Sequence, residues 1–437
     1  MDTEKIVRVV KDATFLAVCA DEAADAANKE QLALIIRFVD KSGLVQEDVL
    51  EFLHCASGVS GEAIAQNILC VLENHSLDVN ILGGQGYDGA GNMAGKYQGA
   101  PARIQRNRPK AIYVRCAAHI LNLCIVAACK VQGIRNMQGT LDQIFLFFSL
   151  SPNQNKSFRM ESFQVFMELL PSVVTTLEVV STGQDWNVES STKAATLLTS
   201  ITQFKFIMAL VVAHACFGFV KGLTVFLQGR FQDICSAYVE VDSVKTALFE
   251  TFRSNVPTLT PEDYYRSDLT VPFLDEMIAH INSRFSEIQK KAMMALSLVP
   301  LPEFYADDLP NPSTLRQELH VWKWKWKSFS AERPSLLSKS LFHANETMFP
   351  NICQLLRIVS TLPVTSCECE RIISVLRRLK TYLRTTMAEE RLTGLALMHV
   401  DYGMDRNLDE IINIVSRQHP RRKLLQDTLV SDKEGSE

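Results

Sequence analysis

A chain of 437 residues has room for two to four folding units at the usual ~100–200 residues per domain. Its 45 Lys and Arg against 49 Asp and Glu leave a net charge of −4, which excludes a uniformly basic nucleic-acid coat protein and an acidic disordered tail. A hydrophobic share of 47% with 19 Gly and 15 Pro describes a folded, helix-rich chain, and excludes collagen-like, linker-rich or turn-rich all-β chains.

The first ten residues, MDTEKIVRVV, mix acids and bases and lack the apolar stretch of a signal peptide. Apolar runs at 14–20 (TFLAVCA) and 32–39 (LALIIRFV) are too short for helices and flank a polar, turn-like segment, so they predict antiparallel strands. Residues 44–55 predict a third. In SGEAIAQNILCVLENH, Ile64, Ile68, Leu69 and Leu72 recur at helical spacing. Ala63 stands three residues after Ser60, so there is no capping box. VNIL (79–82) predicts a buried strand running into GGQGYDGAGNMAG, and IYV (112–114) another, followed by the helical pattern AAHILNLCIVAACK. The economical packing for this order is a mixed sheet covered by helices.

From about 135 to 345 the apolar spacing is helical, punctuated by the Pro-containing loops NVPTLTPEDYY and VPLPEFYADDLPNPST. The most apolar run, Phe206 to Val220, is 15 residues long and is interrupted by His214. That falls short of the ~20 needed for a membrane span, so it predicts a buried helix and no membrane. In HVWKWKWK (320–327) a helix would put Trp322 and Trp326 on one face for packing, while base stacking is the alternative. A last helical region is expected over 366–400, with a polar tail after His419. There is no internal repeat. Eleven scattered cysteines, several in apolar runs (Cys19, Cys70, Cys124, Cys216), suit buried thiols in the nucleus or cytosol.

Three acids stand where a sheet would end or a helix begin: Asp21 after the first strand, Asp88 just past the fourth, and Glu370 at the start of the last long helix. Three converging carboxylates can hold two divalent ions, Mg²⁺ in kind, for attack on a phosphodiester. Asp before Gly in YDGAG equally suits a turn. The glycines match neither a P-loop nor a dinucleotide fingerprint, so no nucleotide cofactor is expected. Cys116-x-x-His119 has no zinc-ligand partners nearby in sequence, and reads as a buried thiol with a core or cap histidine, or as a pair orienting DNA or carboxylates. Basic residues at Arg103, Arg106, Arg108 and Lys110, at Arg377, Arg378 and Lys380, and at 421–423 can touch phosphate or merely solvate a face.

The stretches DEAADAANKEQLALIIRFVD, GYDGAGNMAGKYQGA, RCAAHILNLCIVAACK, LQGRFQDICSAYVEV and FPNICQLLRIVSTLPVTSCECERIISVLRRLKTYLRTTMAEERLTGLAL together resemble hAT-superfamily transposases. The nearest branch is that of transposon-derived zinc finger MYM-type and kinase-inhibitor-repressor-like proteins. The resemblance covers about residues 14–415. It implies an α/β fold plus a large all-α insertion: an RNase H-like core over 1–134, a helical insertion over 135–314, a C-terminal dimerisation region completing the core over 315–415, and a flexible tail over 416–437. The family's catalytic and metal-binding acids fall on Asp21, Asp88 and Glu370, with Arg371 completing its S-E-R motif. Its C-x-x-H falls on Cys116 and His119, and its R-W pair on Asp185 and Trp186, where the Arg is lost.

Ala23 and Ala24 replace the family's usual Thr residues, and SCECER adds Glu368. The chain begins almost on its first strand, so the family's zinc finger is expected to be missing. The resemblance implies a homo-oligomer in the nucleus, and these departures imply that it no longer transposes; Ile372, Ile373, Leu376, Leu379 and Leu383 form a helical apolar stripe expected to be buried either in the core or in a dimer. Two alternatives are an active transposase using Mg²⁺ or Mn²⁺ on DNA, and a DNA- or chromatin-associated adaptor.

Overall fold

The computed structural model describes residues 2–24, 29–148 apart from breaks at 57 and within 90–97, 160–252 apart from 184 and 231, 265–288 apart from 287, 304–328, 337–379 and a few isolated positions. Leu383, Lys380, the first Pro-containing loop up to Tyr264, positions 421–423 and nearly all of the expected tail lie outside them.

Among the described residues, five strands form one mixed sheet in the order β3-β2-β1-β4-β5. They are β1 (Leu16–Ala24), β2 (Glu30–Val39), β3 (Val45–His54), β4 (Leu82–Tyr87) and β5 (Ile112–Arg115). β1, β2 and β3 pair antiparallel, while β4 and β5 run parallel to β1. Strands stand where four of the apolar runs predict them, but the expected VNIL strand is displaced: Val79–Ile81 form a 3-10 turn and β4 begins only at Leu82. The alternation of side chains gives the sheet two different covers. Leu16, Val18, Leu34, Ile36 and Phe38 face one layer with α1 (Asp2–Lys11), α2 (Gly61–Asn74) and α3 (Ala100–Asn107). Cys19, Ala33, Ile35 and Phe52 face the other, where Cys369, Ile372, Ile373 and Leu376 close over them.

Two local expectations change. Helix α1 has no counterpart in the sequence reading; Val7 and Val10 anchor it under the sheet. The first part of the glycine-rich segment, GGQGY (83–87), belongs to strand β4, because close packing excludes side chains there. A Cβ on Gly84 would lie 3.0 Å from Ala17 Cβ and Pro363 Cδ, and one on Gly86 would lie 2.8 Å from Pro363 Cβ and Cγ. Those glycines let the segment before the last helix lie directly on β4. Gly86→Ala should therefore cost about 1–3 kcal/mol by forcing the rigid proline ring away, measured by urea unfolding. A loss under ~0.5 kcal/mol would show that the segment yields freely.

α2 starts without a capping box, yet Ser60 Oγ accepts the Ala63 N–H at 3.2 Å. One side-chain oxygen is enough for a cap.

After α4 (Ala117–Ala128) come α5 (Gln132–Phe148), α6 (Met160–Thr182), α7 (Val188–Ile201), α8 (Phe204–Leu227), α9 (Ile234–Phe252) and α10 (Val271–Arg284). A chain-long apolar cluster joins them to β5 and to α13 (Pro350–Thr361), which follows α11 (Leu315–Ser328) and α12 (Leu337–Phe342). Helix α8 exceeds the 15-residue run seen in sequence, because it continues through Lys205 and Lys221. By length and composition alone, α8 and Phe163–Thr182 could each cross a membrane. Half of the α8 window is buried inside the protein, where Phe217 stacks edge-on against Phe163 and Phe273. The tryptophan run is helical as expected: Trp322 and Trp326 meet edge-on at 5.5 Å, and Trp324 is exposed.

Candidate functional site

Asp21 sits where two pairings diverge. β1 runs on to Ala24 beside β2, with Asp21 opposite Ala33, whereas its pairing with β4 stops at Ala20 opposite Tyr87. The expectation that Asp21 ends the strand is thus corrected: β2 carries β1 further than the apolar run suggests. Asp88 follows Tyr87, so the parallel register sets it beside Asp21. Side-chain alternation puts Asp21 on the face of Cys19, the one covered by α14 (Cys367–Leu379). Glu370 lies in the first turn of α14.

The carboxyls of Asp21 and Glu370 both feel the Asp88 charge. Burial, then the Asp88 and Glu370 charges, push the Asp21 carboxyl up to about 8, although its Oδ1 accepts the Glu22 N–H at 2.9 Å. Burial, the Cys116 sulfur and Asp88 push Glu370 up to about 7, with Arg371 opposing, although one side of Glu370 stays open to solvent. Hard carboxylate oxygens in a concentration of negative charge are the kind of donor that Mg²⁺ or Mn²⁺ takes, but among the described residues the three acids do not form a group whose ligand atoms all lie within 4.8 Å of one another.

The C-x-x-H pair lies on the same junction. Cys116 caps α4, its N–H donating to Tyr87 O at 3.0 Å, and Ala117 N–H donates to Val364 O at 2.9 Å. Cys116 Sγ accepts the Ser366 N–H at 3.3 Å and shares a hydrogen bond with Thr365 Oγ1 at 3.4 Å. The donors around it, with the Cys367 thiol foremost, hold Cys116 well below the ordinary thiol range. His119 is half-buried against the loop after Asp88: a Cβ on Gly89 would lie 3.1 Å from His119 Nε2 and collide with Arg115. Tyr113 Oη donates to the Asp88 carbonyl at 3.3 Å.

Beside this junction a cleft of about 530 Å³ opens between β5 and α10, lined by Tyr113, Arg115, Ile120, His280, Ser283, Arg284 and Ile288. The Nε atoms of Arg115 and Arg284 are buried there without a hydrogen-bond partner. Neither arginine belongs to the basic runs of the sequence. The first of those runs serves structure in part: Arg103 pairs with Glu62 at 3.3 Å and Lys110 with Asp308 at 2.5 Å. Arg377 and Arg378 are exposed on α14.

Other expected site residues take structural places. Arg371 donates to Glu368 and to the Gln228 carbonyl, and Arg230 also pairs with Glu368. Glu368, the added acid of SCECER, is buried and ties α14 to the end of α8. Trp186 lies in the turn between α6 and α7, half exposed, against Gly183. Ile372, Ile373 and Leu376 are buried on this chain's own sheet. Of the two covers expected for this stripe, core or dimer, these three take the core: burial worth roughly 1.5–3 kcal/mol per side chain is already spent inside the chain. Leu379 is the last residue of α14. Cys70 is exposed, unlike the other thiols.

Arg37 escapes the sequence reading. It interrupts the apolar run of β2 yet is buried, paired with Glu47 and donating to Ser360 O at 3.0 Å and Gln232 O at 2.7 Å. A lone Arg inside LALIIRFV was the available signal.

Residues 2–99 match a family described as ZMYM1/FAM200, RNase-like domain, and residues 311–404 match the hAT family C-terminal dimerisation region. The human protein named 52 kDa repressor of the inhibitor of the protein kinase is 27% identical over 492 aligned positions, covering 94% of this chain and 64% of the relative. Its mouse counterpart is also 27% identical, covering 94% of this chain and 65% of the relative. The chain thus spans just under two thirds of the length of these curated relatives. An RNase-like domain of this group at one end and the hAT dimerisation region at the other mark the chain as hAT-transposase-derived.

Proposed function

We propose that the protein is a transposase-derived scaffold with an RNase H-like core that self-associates through its C-terminal region and no longer transposes. The observation that carries it is the match of residues 311–404 to the hAT dimerisation region. Within that region Val321, Trp324, Phe342 and Met348 keep large apolar side chains in solvent, which suits a second copy better than water. The mixed sheet with helices on both faces supports the RNase H-like core. Ala23, Ala24 and Asp185, departures from the family's pattern, favour lost transposition. The relatives' name is that of a repressor, and a nuclear adaptor role that represses through a bound partner follows from a dimeric scaffold.

Size-exclusion chromatography with light scattering at tens of micromolar should give a dimer. The double variant Val321→Glu, Trp324→Glu should shift it to monomer with unchanged circular dichroism. A strict monomer in the parent protein sinks the proposal.

A second reading, metal-dependent strand transfer on DNA, is favoured by one observation: the Asp88 charge acts on the carboxyls of both Asp21 and Glu370, so the three acids lie near one another. These three would hold Mg²⁺ or Mn²⁺, which supplies activation of an attacking hydroxyl and stabilisation of the leaving oxygen. Arg115 and Arg284 would hold the phosphodiester backbone in the neighbouring cleft, and His119 would orient the loop carrying Asp88. In a DNA-end cleavage assay, Asp88→Ala should abolish product. Arg284→Gln should weaken binding and lower the slope of log affinity against log salt by about one. Unchanged cleavage by Asp88→Ala refutes the acid assignment, and no cleavage of any end by the parent leaves the scaffold reading alone.

A further inference from the structure

The thiol of Cys116 lacks metal-ligand partners in its own stretch of sequence, but the fold supplies them from the far end of the chain. Cys116 Sγ, Cys367 Sγ and a carboxylate oxygen of Glu370 all lie within 4.8 Å of one another. Cys367 and Glu370 occupy one face of α14, three residues apart, and Cys116 caps α4. All three donors therefore stand on helix starts rather than on free loops, and the Pro363–Ser366 segment laced between α4 and β4 holds them in place.

We infer that Cys116, Cys367 and Glu370 form a binding site for one thiophilic dication of the Zn²⁺ class, distinct in chemistry from the carboxylate site although it borrows Glu370. Two sulfurs and one carboxylate are a soft, three-ligand set with a fourth position open, which Zn²⁺ accepts and Mg²⁺ does not. Tetrahedral bonds of about 2.3 Å put coordinating sulfurs about 3.8 Å apart, so the pair needs only a small side-chain rotation to close on an ion. The outer contacts suit bound thiolates. The Ser366 N–H and the Thr365 hydroxyl reach the Cys116 sulfur, and Thr365 Oγ1 also accepts the Cys367 N–H at 3.1 Å. Both sulfurs are buried, whereas Glu370 opens to solvent and gives the ion its way in. On binding, any proton still held on the two sulfurs passes to solvent, and two metal–sulfur bonds replace two metal–water bonds. An ion held here removes Glu370 from the carboxylate site, so the soft ion and Mg²⁺ exclude each other.

The test is a Co²⁺ titration of the full chain under reducing conditions, followed by the sulfur-to-cobalt charge-transfer absorption. One equivalent should develop the band, and Zn²⁺ should bleach it. Cys116→Ser and Cys367→Ser should each remove most of it, while Cys70→Ser, at an exposed thiol, should leave it intact. Glu370→Gln, which keeps the side chain's size but removes its charge, should keep the band but weaken affinity at least tenfold. The inference is overturned by the absence of a band in the parent protein, by a band that survives both cysteine variants, or by a Glu370→Gln affinity equal to the parent's. Because the readout is binding alone, loss of DNA chemistry or of dimerisation would leave the Co²⁺ absorption unchanged.

Discussion

In metal-free buffer at pH 8, Asp21→Asn is expected to raise the unfolding free energy by about 2–3 kcal/mol and to flatten its pH dependence. Asp21 ionises near 8 when folded and near 3.8 when free, and Glu370 near 7 against 4.5. Between these limits the folded chain holds protons that the unfolded chain has released, so stability falls as pH rises. It is full below about 4, declines as the pH climbs, and levels off above about 8, once both folded carboxyls are ionised. A displacement of four units corresponds to several kcal/mol at most, and water at the half-exposed rim reduces what is measured. Mg²⁺ or Mn²⁺ should reverse the trend in the parent protein, raising the melting temperature more at pH 8 than at pH 5.5, because protonated carboxyls bind no ion. The Asp21→Asn variant should lose most of that response. Equal slopes of stability against pH in parent and variant would show that the fold does not hold the Asp21 carboxyl above its free value.

Arg37→Met should be the most damaging single change outside the site, costing about 3–5 kcal/mol in urea unfolding. The guanidinium is buried among Glu47, Ser360 O and Gln232 O, which belong to β3, α13 and the segment before α9. Removing it leaves a buried carboxylate and two carbonyls without their donor. Replacing Glu47 by Leu as well should recover the carboxylate's share alone, since the carbonyls stay unpaired. Full recovery by the double variant would mean that the carbonyl contacts contribute nothing. A single-variant loss below about 1 kcal/mol would mean that the ion pair is not dry.

The legibility of the fold follows from the range of the forces that shape each part. The apolar runs at 14–20 and 32–39 predict strands because side-chain alternation and β-branching are local properties, and β1 and β2 are there. The glycine-rich segment misleads for the same reason. Local preference makes GGQGY a loop, and only Pro363, far along the chain, makes a strand of bare backbone the tight-fitting solution. The stripe on α14 is legible as a buried face, but nothing within a single helix says whether its cover is this chain's sheet or another copy's.

The candidate site divides along the same line. Asp21, Asp88 and Glu370 can be picked out by their positions at strand ends and a helix start together with the family's motif. Their shared electrostatics depend on the parallel register of β1 with β4. Arg115 and Arg284 carry no sequence signal, since each is an ordinary cation until β5 and α10 form a cleft around both.

The sequence by itself determined the class of the protein: a near-neutral, helix-rich chain with an α/β beginning, a helical middle and a hAT-like C-terminal block. Periodicity, composition and motif spacing are written residue by residue. Tertiary structure alone decided which side chains meet. It brought Cys367 and Glu370 to Cys116, gave Glu368 to Arg230 and Arg371, and spent Ile372, Ile373 and Leu376 on the sheet. Such pairings are set by long-range packing, because a buried charge or thiol takes whichever partner the closed core leaves within reach.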